Sequence, residues 1–486
     1  MKIIKLFIIA STLWLVGCDS YLDVEPEGTI TKDEFWTAKE EVEGVVAASY
    51  AKLRTTVTET FVWGELRGDL FAKGEKISTE LELIKDGDIY PENNYVKYSD
   101  FYKVINYVNI LLDNIDDVKT LDGTFTTEEY NYWKSEALFI RSLCYYYLAA
   151  TFRDVPMPLV GYDSDSQELY LGQTPQKKVF NQIYNDMKEA VSLSKDFDEN
   201  NNLHSHGRAT TAACQALLAN ICLWIDKSDE AITVCDQILA NPYYTLMGMD
   251  YWFNNFYPGN SNENIFELEY FEGDQENDLA NYTSSYYDGG EKKYFECSSI
   301  LMGLYESGDI RGSGGSFIEE YASLWKYTGA EVESNHRVFR DEDANWIYYR
   351  LADVYLMKAE AAIMSDRFDD AIAMINTIRL RAGIEEYVFD TSTETNKEFY
   401  YQLLLDERAR ELVGEGKRWF DLVRIASRND FEFKNLLTDA VLNATSVGVK
   451  SSLSLKIENT DFWYLPIHES ELKVNNNLVQ NPYYSF

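Results

Sequence analysis

The chain has 486 residues, 45% of them hydrophobic, which is enough for one large core or for two to three domains. It carries 44 Lys+Arg against 81 Asp+Glu, a net charge of −37. A field of that sign repels phosphate backbones and anionic lipid surfaces, so binding to nucleic acid is excluded. Aromatics reach 15%, with 36 Tyr and 10 Trp. Tyr and Trp join an apolar body to a polar tip and suit recognition surfaces.

In chain order, residues 1–17 read as an export signal. Lys2 and Lys5 precede an apolar run, Leu6 to Val16, that is shorter than the roughly 20 residues a bilayer span needs. Gly17-Cys18 resembles a bacterial lipobox, which implies cleavage before Cys18 and lipidation of its thiol. Several acyl chains would make that anchorage stable. Residues 18–33 form a tether: "DSYLDVEPEGTIT" is acidic, holds Pro26 and Gly28, and has no helical period. Apolar spacing then predicts helices over 33–56, 98–118, 127–152, 176–195, 209–225, 228–240, 346–364, 367–382 and 397–413, with Asp33 and Thr127 as caps. Short strands are expected at Asn264–Tyr270 and Phe462–Ile467. Besides Cys18 there are Cys144, Cys214, Cys222, Cys235 and Cys297, an odd number without close pairing, which argues against a disulfide framework. Cys214, Cys222 and Cys235 fall in helical runs and read as small buried hydrophobes.

Two segments are self-similar: "LLANICLWIDKSDEAITVCDQILANP" (217–242) and "LMKAEAAIMSDRFDDAIAMINTIRLRAG" (356–383). Each is an Ala-bearing apolar helix, a polar turn and a second helix opening on Asp-Asp/Glu-Ala-Ile. Ala219 and Ala231 occupy the slots of Ala359 and Ala371, where small residues let paired helices approach. The fold class is therefore mainly α, a tetratricopeptide-type α–α superhelix with few short strands. Its parts are a helical portion over 34–245, an irregular insertion over 246–345 and a C-terminal portion over 346–486. The insertion is rich in Tyr, Trp, Asn and Gly without helical period, and irregular segments on a rigid scaffold are where binding tends to reside. Its candidates for ligand contact are Trp252, Asn281, Tyr286, Tyr287, Asp288, Trp325 and Tyr327, with Trp252 and Trp325 equally readable as core plugs.

"LLLDERARELVGEGKRWFDLVR" (403–424) crowds acids and bases together. Leu405, Ala409 and Leu412 form a buried stripe, and Glu407–Arg410 and Arg408–Glu411 are expected as i,i+3 pairs on the remaining face. Gly414 and Gly416 end the helix, and a second one buries Trp419, Phe420, Leu422 and Val423. That pattern is scaffold, not an active site. With so many acids, a pair at glycosidase spacing carries no specificity. His204, His206, His336 and His468 lie near no nucleophile elbow, and "HSH" at 204–206 reads as a solvated loop. Asp163 and Asp165 lack the ligand order of a calcium loop. With no C-x-x-C, no phosphate-cradling Gly loop and no EF-hand, no metal and no cofactor is expected.

"CDSYLDVEPEG", "WGELRGD" (63–69), "EALFIRSLCYYYLAATFRDVPMPL" (136–159), "GRAT" (207–210), "YRLADVYLMKAEA" (349–361), "DERARELVGEGKRWFDLVR" and "FWYLPIHESELKVNNNLVQNPYY" occur in the order seen in the SusD/RagB family, which the chain resembles from Cys18 to Tyr484. His468, Asn476 and Tyr483 stand where that family usually shows Pro, Pro and Gly. The resemblance implies a surface lipoprotein, without catalytic activity, anchored in the outer membrane through Cys18 and facing outward. It implies an oligosaccharide or peptide ligand and a SusC-like TonB-dependent transporter barrel as partner. It places Arg67 and Asp69 of "ELRGD" close to the binding surface. Starch-binding members carry Trp shortly after that segment, whereas 70–88 here holds only Phe71, which speaks for another glycan or a peptide. A tetratricopeptide adaptor and a surface glycoside hydrolase are the alternatives. The aromatic insertion argues against the first, and turnover of a bound ligand would reveal the second.

Overall fold

The computed structural model describes residues 35–164, 166–196, 206–270, 277, 279–283, 294–332, 337 and 343–485. The leader, Cys18, the tether and Asp33 lie outside the described residues.

The longer helices are α1 (Lys39–Leu53), α2 (Ser99–Leu121), α3 (Thr127–Phe152), α4 (Gln176–Leu193), α5 (Thr211–Trp224), α6 (Ser228–Leu239), α7 (Leu351–Met364), α8 (Phe368–Arg381), α9 (Lys397–Leu412), α10 (Arg418–Ala426), α11 (Lys434–Ala444) and α12 (Val447–Ile457). They pack as successive pairs, α1 with α2, α3 with α4, α5 with α6 and α7 with α8, each pair laid on the next. This is the mainly helical, tetratricopeptide-like architecture the repeats predict.

The repeats match in detail. Ala219, Ala231, Ala359 and Ala371 are fully buried. Each hairpin turns through an aspartate in the left-handed region, Asp226 (φ +57°) and Asp366 (φ +56°). Aspartate tolerates that conformation better than most residues. The next amide then reaches back to the helix, Lys227 N to Cys222 O at 2.9 Å and Arg367 N to Ala362 O at 2.8 Å. Although a long insertion separates them in sequence, α6 lies directly on α7. The Ser365 and Ser228 hydroxyls bond at 2.8 Å, and Lys358 pairs with Asp236 at 2.6 Å.

Three assignments differ from expectation. The cap of α3 is Thr126, not Thr127: its hydroxyl accepts from Glu129 N while Glu129 answers the Thr126 amide, a reciprocal capping box. Residues 346–350 are strand, not helix, because they pair with the insertion. Asn264–Leu268 is a strand as expected, but Phe462–Ile467 is not; Thr460–Trp463 forms a 3-10 turn instead. There the large side chains, not the backbone period, dictate the path, since Phe462 and Trp463 are buried.

Eight short strands occur among the described residues: β1 (Phe71–Lys73), β2 (Val155–Pro156), β3 (Gln173–Thr174), β4 (Asn264–Leu268), β5 (Phe295–Cys297), β6 (Phe317–Ile318), β7 (Ser323–Leu324) and β8 (Trp346–Arg350). They pair antiparallel as β1–β5, β2–β3, β4–β8 and β6–β7. The insertion is thus stitched to both helical portions: β5 to the N-terminal one and β4 to the C-terminal one. Cys144, Cys214, Cys222, Cys235 and Cys297 are free and buried. No described helix is long and apolar enough to cross a membrane.

Candidate functional site

α9 is the centre of the molecule's electrostatics. Leu405, Ala409 and Leu412 are buried as the stripe predicts, yet so are Glu407, Arg408, Arg410 and Glu411, so the helix has no ion-paired solvent face there. Glu407 does meet Arg410, at 2.7 Å. Arg408 does not meet Glu411: it takes Asp421 and Asp353 instead, at 2.7 and 2.9 Å. Glu411 receives Arg350, Arg381 and Arg311. Arg350 of β8 also binds Glu263 and Glu415 at 2.9 Å, and Arg424 of α10 binds Glu360 at 2.6 Å. Lys417 and Arg408 hold Asp353, and Arg424 and Arg428 hold Glu360, down at about 2 although burial opposes it. Glu407, Glu411, Asp421, Asp353, Glu263, Glu415 and Glu360 are each paired with at least one buried cation. The segment is a buried ion lattice that locks four parts of the chain together.

"WGELRGD" is part of the same brace. Val62–Leu66 winds as a π-helix, and Gly64 packs so tightly on Gly416 that an added Cβ would lie 2.0 Å from Gly416 O. Gly416 itself sits at φ +69°, a conformation glycine adopts without penalty. Glu65 accepts from the Gly416 and Lys417 amides at 2.8 and 3.2 Å, and burial pushes its carboxyl up to about 8. Arg67 and Asp69 are buried within that brace. The Arg67 guanidinium lies over the Trp419 ring at 4.2 Å and donates to the carbonyls of Trp463 and Phe462 at 2.7 and 2.5 Å. The Asp69 carboxylate takes Arg418 in a two-pronged pair at 2.7 Å for each bond.

Three aromatic candidates of the insertion, Trp252, Trp325 and Tyr327, are buried as well. Trp252 and Trp325 form a small core of their own with Phe253, Phe256 and Ile347. Tyr327 stacks on Trp346 and donates to Gly414 O at 2.9 Å. All three are buried, because the insertion is long enough to need its own apolar centre. Asn281 falls in the short helix Leu279–Thr283. Tyr286, Tyr287 and Asp288 lie outside the described residues.

What the brace positions is a tyrosine cluster beside β1 and β5. Ser298 Oγ donates to Asp69 O at 2.6 Å, and β1 pairs with β5 from Phe71↔Cys297 to Lys73↔Phe295. Gly74 N then holds Tyr294 O at 2.9 Å, fixing Tyr294 at the sheet edge. The Tyr282 ring meets Tyr294 edge to face at 5.1 Å, and its hydroxyl lies 3.3 Å from the Tyr95 hydroxyl. Tyr95 is placed by Asn93, whose side chain caps its amide at 2.9 Å, and by Trp63, whose indole N–H donates to its carbonyl at 2.7 Å. All three tyrosines are half-buried, so an edge of each meets solvent. Nearby Glu59 is raised to about 7 by burial, and one of its oxygens has no partner in the structure. The sequence alone does not single out Tyr95, Tyr282 or Tyr294, although Tyr282 and Tyr294 fall in the tyrosine-rich insertion.

The histidines are structural where described. His206 is buried, not in a solvated loop, and burial lowers it to about 4; its Nε2 lies 3.3 Å from the Tyr243 hydroxyl. His468 caps the helix Glu469–Val474 through Nδ1, replacing the proline usual there. His204, His336 and Asp165 lie outside the described residues. Among the described residues no group of three or more His, Cys, Asp or Glu is arranged to hold a metal ion.

Together, stacked helix pairs, a buried ion lattice and a half-buried tyrosine cluster define a tetratricopeptide-type scaffold that presents aromatics on an irregular insertion. Residues 305–484 match the model of the SusD family, and residues 20–223 match a model described as starch-binding, associating with outer membrane. The chain belongs to the SusD-like family. It is similar to SusD-like protein P38 of Formosa agariphila, 24% identical over 474 residues that cover 87% of this chain and 90% of that one. Its fold is shared with B. fragilis NanU (TM-score 0.74, 21% identity, 95% of this chain and 100% of that one). A laminarin binding SusD-like protein has the same fold (TM-score 0.70, 20% identity, 92% and 99%).

Proposed function

We propose that this protein is a non-catalytic, surface-exposed glycan-binding lipoprotein that passes its ligand to a SusC-like TonB-dependent transporter in the outer membrane. The observation that carries the reading is the cluster of Tyr95, Tyr282 and Tyr294, brought from three segments to one half-buried edge. Tyrosine edges and faces pack on the C–H faces of sugar rings while their hydroxyls exchange hydrogen bonds with the ring substituents. Asn281, Tyr286, Tyr287 and Asp288, flanking Tyr282 in sequence, extend that surface in our reading. Names of relatives support a glycan over a peptide: the matched model is described as starch-binding, and a structural neighbour binds laminarin. The anchor is Cys18, and the tether after it raises the effective concentration of the protein at its barrel, so the contact between them can be weak and reversible. Binding without turnover fits the ion lattice, whose carboxylates are neutralised and out of reach.

The test is a calorimetric titration of the full chain with starch-derived and laminarin-derived oligosaccharides and a peptide mixture, with chromatography of the ligand afterwards. Saturable binding of an oligosaccharide recovered intact is expected. Recovered fragments, or binding of peptides alone, would overturn the proposal.

A further inference from the structure

Away from the tyrosine cluster, a cavity of about 210 Å³ lies between α2, the loop 156–171 and the helix Glu469–Val474. It is smaller than the roughly 300–1,000 Å³ of pockets that take drug-sized ligands, so it admits one small ring and not an oligomer. Its walls are preformed. Asn106 of α2 grips Tyr162 through both the amide N–H (2.6 Å) and the carbonyl (3.1 Å). Asn109 donates to Pro158 O at 3.0 Å, and Asp113 accepts the Gly161 amide at 2.6 Å. Gly161 is required there, since a Cβ would lie 2.4 Å from Ile110. From the other side Asn475 donates to Leu171 O at 2.8 Å.

The polar groups that remain inside are few and of one kind. Tyr98 lines the cavity, is 3% exposed, and its hydroxyl has no partner. Glu471 lines it half-buried; burial raises its carboxyl, and its charge acts on Tyr98 and Tyr102. The Tyr102 hydroxyl donates to Pro156 O at 2.6 Å, which leaves its oxygen able to accept. No lysine or arginine lines the space; Lys97 acts on Glu471 from outside it. Such a lining repels carboxylates and phosphates and accepts hydrogen bonds from a ligand rich in hydroxyl donors. The rings of Tyr98, Tyr102 and Tyr162 give that ligand apolar faces.

We propose that this cavity is a second binding site, for a single neutral sugar ring, with Tyr98 and Glu471 as its hydrogen-bonding residues. The proposal rests on the glycan-binding function only for its choice of probes. The test is saturation-transfer NMR on the full chain with glucose, mannose, galactose, xylose and glucuronate, each alone. At least one neutral sugar is expected to bind. Its affinity should fall on the order of tenfold in Tyr98→Phe, the effect of one lost hydrogen bond. Leu169→Trp, at the exposed rim, should abolish it, while Tyr282→Ala should leave it intact. Because Tyr98→Phe removes a buried hydroxyl without a partner, its Tm should stay level or rise, which separates a binding role from a structural one. No binding by any neutral sugar, binding indifferent to both pocket variants, or glucuronate binding as well as the neutral sugars would overturn the inference. Loss of oligosaccharide binding in Tyr282→Ala alone bears on the tyrosine cluster and not on this site.

Discussion

Around α9, carboxylates and guanidinium groups are withdrawn from water and matched pair by pair, whereas Tyr95, Tyr282 and Tyr294 are uncharged and half-buried, the first two in contact through their hydroxyls and the last two through their rings. The first region is dense in the residue types of catalysis and holds the molecule together. The second is sparse in them and is where we propose that the ligand binds. Buried charges that are fully paired have no proton or lone pair to offer a substrate, and their partners fix the backbone around them. Half-buried tyrosines lose little by exchanging water for a sugar. Charge density along a sequence therefore marks function poorly; what marks it is polar capacity left unused.

Breaking the lattice should have the largest effect. Glu411→Ala strands Arg350, Arg381 and Arg311 without a common anion. Removing one member of a buried pair costs about 3–5 kcal/mol, so denaturant unfolding should show a loss of that size or no soluble protein. Gly64→Ala drives a methyl into Gly416 and should destabilise by ~1–3 kcal/mol in the same measurement, since the contact is with backbone that cannot step aside. At the tyrosine cluster the ranking reverses. Tyr282→Ala should change unfolding little but weaken oligosaccharide binding by about 2 kcal/mol or more, the scale of an aromatic hot spot, read by calorimetry.

pH should divide the two regions more gently. Asp353 and Glu360, held at about 2, bind fewer protons folded than unfolded over the acid range. Their stabilisation is complete above the ordinary carboxylate range and disappears as pH falls towards 2. Glu65 and Glu59 run the other way, raised to about 8 and about 7. Their contribution is full below the ordinary range and is lost as pH rises through 7 to 8. Tm against pH should therefore fall on both sides of a mildly acidic maximum. Glu65→Gln, which keeps the shape without the charge, should flatten the alkaline side.

The scaffold was legible in the sequence because its signals are local. The Ala slots, the polar turns at Asp226 and Asp366 and the apolar stripe of α9 all lie within one or two helical turns of each other. The burial of α9's charged face was not legible, because Arg311, Arg350 and Arg381, which meet Glu411, come from distant segments and share no spacing with it. The burial of three of the aromatic candidates was not legible for the same reason. Trp252, Trp325 and Tyr327 are aromatic like a binding surface, but whether a ring plugs a core or faces water depends on which strands close over it. Asp69 does lie behind the tyrosine cluster, its carbonyl holding Ser298 at the end of β5, which pairs with β1.

The measurement that bears most directly on this account is a calorimetric titration of wild-type protein and the Tyr282→Ala/Tyr294→Ala double variant with the best-bound oligosaccharide, each with its Tm. The account predicts that the double variant keeps its Tm within about 1 °C, a ΔΔG of ~1 kcal/mol or less in a chain this size, and loses binding. Unchanged binding in that variant would contradict it.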